Sequence, residues 1–354
     1  MKNINDSKKW FKKCIISLGV VIVLVLGIFY IFDPYFHFHK PFPFISYRLY
    51  EERYINDGIS RNFDYNAIIT GTSMAQNFKT SEVDKLFGVT SVKETFSGAG
   101  YKELAENLDR ALQRNEDLDT VIWTMDYNGF IRDKDWNQYE GFPTYLYDDN
   151  PWNDVSYIFN KTVWYRGVLN NVIMTLTGKP STTFDEYSSW DKETGLKYIM
   201  QNYERHKEPL EMIPGLTDEE RVMVTENIAE NIVRVVNKYP DTTFHIFYTP
   251  YSVCWWDYTI REGLIDMHFE SELIATELLL ECPNVRLYNF NDKYEVTTNL
   301  NYYRDKEHYS AEINTKILEW ISNGEGLVTK QNYKDIIERE KEYYLNYDYE
   351  SIFK

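Results

Sequence analysis

A serine near the start of the chain and a histidine near its end have the surroundings of a nucleophile and its base. Ser73 follows Gly71 at the end of an apolar, β-branched run, and such runs form buried strands of parallel sheets. Asp305 and His308 are three residues apart in a polar segment. That spacing lets the carboxylate hold the imidazole Nδ1 proton and leaves Nε2 for Ser73. The pattern predicts a Ser-His-Asp triad in which the serine attacks an acyl carbon.

The other five histidines have less suitable surroundings for a base. Two lie in an aromatic stretch after an apolar segment, one in a charged stretch, one in a predicted strand and one in a predicted helix: His37, His39, His206, His245 and His268. A Gly-x-Ser at a strand end and an Asp-x-x-His are each common when taken alone. The prediction rests on their occurrence together, at opposite ends of one α/β pattern.

The elements around these motifs alternate between strands and helices. Buried strands are predicted at 67–70, 92–97, 120–125, 243–248 and 285–290. Short connections between them predict an α/β fold with three layers, α/β/α, and a parallel sheet of about five strands. A capping box from Thr217 to Glu220 begins a helix that runs to about Lys238. Ser81 is predicted as the N-cap of a shorter helix.

Residues 14–32 form an uncharged apolar stretch that is long enough to cross a bilayer. Lysines precede this stretch, so the positive-inside rule predicts a single-pass membrane protein with residues 1–13 in the cytoplasm and the bulk outside the cell. The alternative is a cleaved signal peptide. The stretch is longer than the apolar region of most signal peptides, and no small-x-small cleavage site follows it.

The rest of the chain divides by composition into a lead-in at 33–66, an α/β domain at 67–322 and a charged extension at 323–354. An aromatic-rich insertion is predicted within the domain at about 130–216, where the regular alternation stops. Such an insertion can shape a substrate cleft or carry a small core of its own. Whether Cys254 and Cys282 form a disulfide is left open by the sequence.

Composition limits the classes of partner. Hydrophobic residues make up 43% of the chain, which is enough for a large folded domain, and the net charge is −17. That charge argues against nucleic acid as a partner and against close contact with an anionic membrane surface, and it favours neutral or cationic polymers. The sequence carries no metal-binding motif and no glycine-rich phosphate loop, so neither a metal nor another cofactor is predicted.

Taken together, about residues 60–322 resemble the SGNH (GDSL-like) hydrolase superfamily, in a membrane-anchored bacterial branch that acts on surface polymers. This branch includes the D-alanyl transfer protein of lipoteichoic-acid loading. The matching motifs are Gly71-Thr72-Ser73 for the nucleophile and the Asp-x-x-His that ends at His308. The resemblance implies a flavodoxin-like sheet and an oxyanion hole built partly from backbone N–H groups.

In that family, the residues of the oxyanion hole follow the first three strands. The matching positions are the backbone N–H groups of Ser73 and Gly98, with Gly100 as the second choice of glycine. The family's third motif, Gly-x-Asn-Asp, is not intact here, and Asp126 or Asn128 takes its place. A charged Asp126 would oppose an oxyanion unless it were protonated or hydrogen-bonded.

The resemblance implies an extracytoplasmic serine esterase or O-acyltransferase that acts on acyl groups of a cell-surface polysaccharide or teichoic acid. A membrane-embedded acyltransferase is the implied protein partner. The alternative is a catalytically inactive SGNH-like binding or assembly factor for a polymer acylation system. The altered third motif favours this alternative, whereas the retained serine, histidine and aspartate favour an enzyme.

Overall fold

The structure is a computed structural model that describes residues 4–139, 141–190, 192–206 and 208–353. It divides the chain into two compact units. The first unit comprises Met1–Phe63 and Pro143–Thr182, and the second comprises Asp64–Phe142 and Thr183–Lys354. The boundaries predicted from composition stay predictions, and part of the predicted insertion belongs to the first unit.

Helices and strands alternate through much of the chain. The first half of the chain contains α1 (Ile4–Phe32), α2 (Glu52–Asn62), β1 (Ala67–Gly71), α3 (Thr80–Phe87), β2 (Ser91–Thr95), α4 (Tyr101–Arg114), β3 (Thr120–Met125), α5 (Val155–Ile158) and α6 (Leu169–Thr177). The second half contains α7 (Leu196–Ile199), α8 (Asp218–Ile228), α9 (Arg234–Lys238), β4 (Thr243–Tyr248), α10 (Val253–Arg261), α11 (Ile265–Leu279), β5 (Val285–Asn289), α12 (Tyr294–Thr297), α13 (Ala311–Asn323) and α14 (Tyr333–Asn346).

The second unit is built on a five-stranded parallel sheet with the order β2-β1-β3-β4-β5. The strands are largely buried, as expected for a parallel sheet with helices on both faces. The predicted α/β fold class is therefore confirmed. Because β1 has β2 on one side and β3 on the other, the strand order reverses at β1. Open α/β sheets bind their ligands outside the carboxyl ends of the strands at such a point.

Two groups of helices accompany the sheet. Helices α3 and α13 contact each other, and α4, α8, α9 and α11 form a second connected group. The predicted capping box is present, because Thr217 and Glu220 each accept a hydrogen bond from the other's backbone. A π-helical turn, Ala229–Val233, joins α8 to α9, so the predicted helix to Lys238 is confirmed.

The N-cap predicted at Ser81 is wrong. Helix α3 begins at Thr80 with Lys79 in the cap position, so Ser81 lies inside the first turn. Its hydroxyl donates to Asp185 Oδ2 at 2.6 Å instead of capping the helix. A side chain from a distant part of the sequence thus supplies the acceptor at this helix end, and no local pattern indicates it.

The first unit begins with α1, whose residues Asp6–Phe32 are long and apolar enough to span a membrane; the most apolar 18 of them have a mean hydropathy of 3.0 and are little buried. The C-terminal end of this helix enters the folded part of the unit. Phe29 is 1% exposed and its ring lies 4.8 Å from that of Tyr157. The Tyr157 hydroxyl in turn donates to the buried Asp33 carboxylate at 2.8 Å. Aromatic packing and a buried hydrogen bond therefore fix the point where α1 ends.

Candidate active site

The turn that follows β1 gives Ser73 its position. Gly71, the last residue of β1, has φ +147°, a conformation that L side chains rarely adopt. A Cβ at this position would lie 2.0 Å from Thr124 Oγ1, so the sheet leaves room only for glycine. Thr72 then caps a short 3₁₀ turn, Ser73–Ala75, by accepting a hydrogen bond from Met74 N. The strand, the glycine and the cap together place Ser73 at the carboxyl end of β1.

The structure brings Ser73, His308 and Asp305 into one hydrogen-bonded chain. Ser73 Oγ lies 2.7 Å from His308 Nε2, and His308 Nδ1 lies 2.9 Å from both carboxylate oxygens of Asp305. The Nδ1 proton belongs to the bond with the carboxylate, so Nε2 is the acceptor for the serine hydroxyl. This is the geometry that a nucleophile, a base and the residue that orients the base require.

The loop that carries His308 is held by its own backbone. The N–H groups of Glu307 and His308 both donate to Asp305 Oδ1, at 2.9 and 2.8 Å. Tyr303 and Tyr309 form an antiparallel bridge across the loop, and Arg304 N donates to His308 O at 2.8 Å. The Asp-x-x-His spacing therefore closes a tight turn in which the carboxylate serves both the backbone and the imidazole.

The pKa values of this pair move in opposite directions. Burial opposes the charge on Asp305, but the hydrogen bond and charge of His308 and the backbone donors lower the pKa of Asp305 to about 2. Burial also disfavours the charged form of His308, but the carboxylates of Asp305, Glu307 and Asp126 outweigh it and raise the pKa of His308 above 6.5. The imidazole is thus ready to accept a proton from Ser73, and the carboxylate beside it stays charged.

The candidate donors for an oxyanion lie in different surroundings. Gly98, with φ +66°, lines the same cavity as Ser73, and a Cβ there would lie 2.6 Å from Gln138 Oε1. Gly100 is instead the N-cap residue of α4 and is buried, with Trp136 2.7 Å from where a Cβ would be. Asn128 is exposed and its side chain lines the cavity. Gly98 and Asn128 therefore have access to the space beside Ser73.

Asp126 is buried at the end of β3 and accepts hydrogen bonds from three hydroxyl groups. Thr72 Oγ1 donates to Oδ2, and the hydroxyls of Thr249 and Tyr251 both donate to Oδ1 at 3.2 Å. Burial raises the pKa of Asp126 although these donors lower it. Both carboxylate oxygens are occupied, so Asp126 is held in place as an acceptor next to Ser73.

A cavity of about 190 Å³ opens beside Ser73. Its lining presents more apolar than polar surface, but it includes the polar residues Asp126, Asn128 and Glu307. Arg132 and Trp136 form part of the same lining, with the guanidinium carbon 4.9 Å from the centre of the indole ring. A space of this size and polarity suits a small acyl group next to a flat aromatic surface.

A second cavity, of about 200 Å³, lies near the loop that carries His308 and includes Ser310 in its lining. It is lined by Trp190, whose ring lies 6.0 Å from that of His308 in an edge-on arrangement. Asn77 Oδ1 fixes the segment by accepting a hydrogen bond from Trp190 N at 2.9 Å. Lys192 lies 5.7 Å from the indole centre. One indole therefore lines the cavity of Ser73 and another lies near His308, and each has a cation beside it.

Sequence reasoning missed several of these residues. Thr249 and Tyr251 follow β4, and their position at a strand end was a usable signal. Trp190 lies in an irregular segment, where no periodicity indicates which side chain contacts the site. The Gly-x-Ser motif indicates a role for its serine but none for the hydroxyl of its middle residue, Thr72, which bonds to Asp126.

Among the residues that the structure describes, no group of three or more His, Cys, Asp or Glu side chains could hold a metal ion. No protein-family model and no curated protein matches the chain. Among solved structures, one described as "a putative platelet activating factor from Streptococcus pneumonia" is 14% identical, with a TM-score of 0.39. The similarity covers 81% of this chain and 91% of that chain. It is too distant to carry a functional argument.

Proposed function

We propose that the protein is a serine esterase or O-acyltransferase of the SGNH type, with Ser73 as nucleophile, His308 as base and Asp305 as the residue that orients the base. One observation carries the proposal. The hydrogen-bonded chain from Asp305 through His308 ends on a serine hydroxyl that lines an open cavity. A serine that was only structural would have no need of an oriented imidazole within 2.7 Å.

In the proposed reaction, Ser73 Oγ attacks the carbonyl carbon of an ester as His308 Nε2 takes the serine proton. The carbonyl oxygen becomes an oxyanion, and the backbone N–H groups of Ser73 and Gly98 with the Asn128 amide are the proposed donors. His308 then gives its proton to the leaving alcohol, and an acyl-serine remains. Water or an acceptor hydroxyl, deprotonated by His308, attacks the acyl carbon and restores the serine.

The proposed substrate is an acylated cell-surface glycan, such as a polysaccharide or teichoic acid. Trp136, which lines the cavity of Ser73, and Trp190, whose ring lies 6.0 Å from that of His308, support this class because indole faces stack well on sugar rings. The cavity of about 190 Å³ beside Ser73 suits a small acyl group. The choice between hydrolysis and transfer then depends on whether water or a sugar hydroxyl reaches the acyl-serine.

We place the catalytic residues outside the cell, with α1 as a single-pass anchor and the N-terminus in the cytoplasm. The lysines before residue 14 support this orientation through the positive-inside rule. The burial of Phe29 against Tyr157 supports retention of the helix, because cleavage of a signal peptide would remove a packed side chain. A membrane-embedded acyltransferase that supplies the acyl group is the proposed partner.

One observation favours the second candidate, an inactive binding or assembly factor. Asp126 stands close to the candidate oxyanion site as an acceptor, with donors on both oxygens. A charge at this position opposes the transition state of acyl transfer. The two candidates differ in whether Ser73 reacts.

The test is turnover of p-nitrophenyl acetate, with fluorophosphonate labelling, by the full-length protein in detergent. Ser73→Ala and His308→Ala are the loss variants, and Ser81→Ala is the matched control, since Ser81 binds Asp185 and is not part of the hydrogen-bonded chain at Ser73. We expect wild type and Ser81→Ala to be labelled and active, and both loss variants to lose about a thousandfold in kcat or more. Absence of labelling at Ser73 in the wild type would support the inactive factor.

A further inference from the structure

Helix α6 exposes apolar side chains and buries a polar one, the reverse of the usual polarity, and the π-helical turn before it, Val163–Val168, exposes one more aromatic residue although it buries its valines. Four apolar or aromatic residues at spacings of four, four and three residues fall on one side, and all are exposed: Tyr165, Leu169, Ile173 and Leu176. The buried side holds the polar Asn171, whose Oδ1 accepts a hydrogen bond from Arg48 N at 3.0 Å. A helix on a water-facing surface normally buries its apolar side and exposes its polar side.

The same part of the first unit exposes two further aromatic side chains. Trp152 is 86% exposed and Phe159 73%, while Leu176 on α6 reaches 81%. These side chains, with the exposed residues of α6 and its preceding turn, form what we call the apolar face: Trp152, Phe159, Tyr165, Leu169, Ile173 and Leu176. Single exposed apolar residues are ordinary on protein surfaces, but a helical stripe with neighbouring aromatic residues marks an interaction surface.

The segment that carries the apolar face packs on the end of α1. Phe29 near the end of α1 packs against Tyr157 and Trp164, with ring centres 4.8 and 5.2 Å apart. Both partners lie in the segment that carries the apolar face. Helix α1 is long and apolar enough to cross a bilayer. When α1 spans the membrane, its C-terminal end lies at the membrane surface. The segment that packs on this end of α1 is therefore also held at the membrane surface.

The charge of this segment is also compatible with contact with a membrane surface. Residues 155–182, which carry all of the apolar face except Trp152, contain three basic residues and no acidic one, namely Lys161, Arg166 and Lys179, although the whole chain has a net charge of −17. Arg166 is paired with Glu51, and Asp148, Asp149 and Asp154 lie around Trp152. Basic residues beside exposed Trp, Phe and Leu side chains are the composition of helices that lie in the headgroup region of a bilayer. Anionic lipids attract such basic segments, whereas they repel the acidic remainder of the chain.

We propose that the apolar face lies in the headgroup and upper acyl region of the same leaflet through which α1 leaves the membrane. The occupant of this face is the lipid bilayer, and Lys161 and Lys179 contact anionic headgroups beside it. The first unit is then attached to the membrane at two places, by the helix that spans it and by the face that lies in its surface. This attachment does not depend on whether Ser73 is catalytic.

The test uses the full-length protein in nanodiscs that contain phosphatidylcholine and phosphatidylglycerol, with one protein per disc. In a Cys14→Ser background, an environment-sensitive dye is attached at Leu176→Cys or Phe159→Cys. Both native side chains are exposed, so neither substitution disturbs the core. Leu24→Cys in α1 is the positive control, and Glu219→Cys, exposed in α8, is the negative control. Lipids with a spin label high on the acyl chain quench a dye that contacts them.

We expect emission at shorter wavelength and about twofold or greater quenching at positions 176 and 159, as at position 24, and no quenching at position 219. Adding Leu176→Glu to the Phe159→Cys protein should reduce the quenching at position 159, because a charge at the apolar face disfavours insertion. Quenching at position 24 without quenching at 176 and 159 would overturn the proposal. So would a dye at 176 that is shielded from water but not quenched, since a protein would then cover the face. Absence of quenching at positions 24, 159 and 176 would also contradict the role of α1 as a membrane anchor.

Discussion

Thr72 Oγ1 donates a hydrogen bond to Asp126 Oδ2, so the residue before the candidate nucleophile is tied to a buried carboxylate. The carboxylate is held from its other side by Thr249 and Tyr251, which follow β4. Its charge also raises the pKa of His308. Asp126 therefore acts on both members of the candidate pair: it positions the turn of Ser73 by a hydrogen bond and it favours the protonated base.

Replacing Asp126 by asparagine tests this relationship. The amide keeps an oxygen for Thr249 and Tyr251, so we expect the fold to be retained. Loss of the negative charge should lower the pKa of His308 and shift the acid limb of kcat/KM to lower pH. The measurement is the pH dependence of ester turnover by wild type and Asp126→Asn.

Asn128→Ala is the matched comparison for Asp126→Asn. If the Asn128 amide donates to the oxyanion, its loss should lower kcat by about a hundredfold and leave the acid limb where it is. An acid limb that does not move in Asp126→Asn would mean that Asp126 is already neutral in the active enzyme.

Asp305→Asn should remove most of the activity without preventing substrate binding. The wild-type acid limb is expected above pH 6.5, because the pKa of His308 is raised and activity requires the neutral imidazole. Without the Asp305 charge, the pKa of His308 falls and the limb moves to lower pH. The loss of orientation should lower kcat by about a thousandfold with little change in KM.

Glu307→Gln is the control for charge alone, because Glu307 raises the pKa of His308 but is not bonded to its Nδ1. We expect a small shift of the acid limb with kcat within about threefold of wild type. An equal loss of kcat in Glu307→Gln and Asp305→Asn would contradict the orienting role of Asp305.

Gly71→Ala should destabilise the second unit by about 3 kcal/mol or more, through backbone strain and a clash with Thr124. Gly88→Ala is the control. Gly88 also has a positive φ, of +71°, but nothing lies within 4 Å of where its Cβ would be. Its cost should be about 1 kcal/mol, from the backbone alone. Urea unfolding measures the loss of unfolding free energy in both variants. Equal losses would mean that Thr124 can move aside to accommodate the new Cβ at position 71.

Two glutamates meet in the core of the second unit. Asn289 Nδ2 donates to Glu272 Oε1 at 2.7 Å and to Glu340 Oε2 at 3.1 Å. Burial raises the pKa of Glu272 to about 7. Burial and the charges of Glu272 and Asp292 raise the pKa of Glu340, although Asn289 and Arg339 lower it. The folded protein therefore holds protons that the unfolded chain releases at lower pH.

The sign of the pH effect follows from these raised values. The stabilisation is complete below the unfolded pKa of about 4.5 and is lost as pH rises through the folded values. Glu340→Gln removes one of the two charges, so we expect it to stabilise the protein by about 1 to 3 kcal/mol near pH 8 and much less near pH 5. Glu338→Gln, exposed on the same helix, should show no such difference. Thermal unfolding at both pH values measures the effect, and destabilisation near pH 8 would contradict it.

The sequence predicted the elements well where the signal was local. All five strands lie within two residues of their predicted ends, and the capping box at Thr217 is present. The candidate triad could be predicted because two short motifs fix its members and a parallel sheet brings strand ends to one edge. Each of these predictions needed only neighbouring residues and a general rule of topology.

Contacts between distant side chains could not be predicted. Trp190, in an irregular segment, lies next to His308. Asp185 accepts a hydrogen bond from Ser81, which is more than a hundred residues away in the sequence. The association of Pro143–Thr182 with the first unit likewise depends on aromatic packing, such as that of Phe29 on Tyr157. A single sequence without periodicity does not indicate which of many aromatic residues pair.

Cys254 and Cys282 are both buried free thiols, and burial raises the pKa of Cys254 to about 12. Thiol–disulfide exchange requires a thiolate, so a buried thiol with such a pKa is nearly inert. The second unit can therefore reach its folded state without an oxidation step. Reducing agents should leave its melting temperature unchanged, and the protein should mature without a disulfide-forming catalyst.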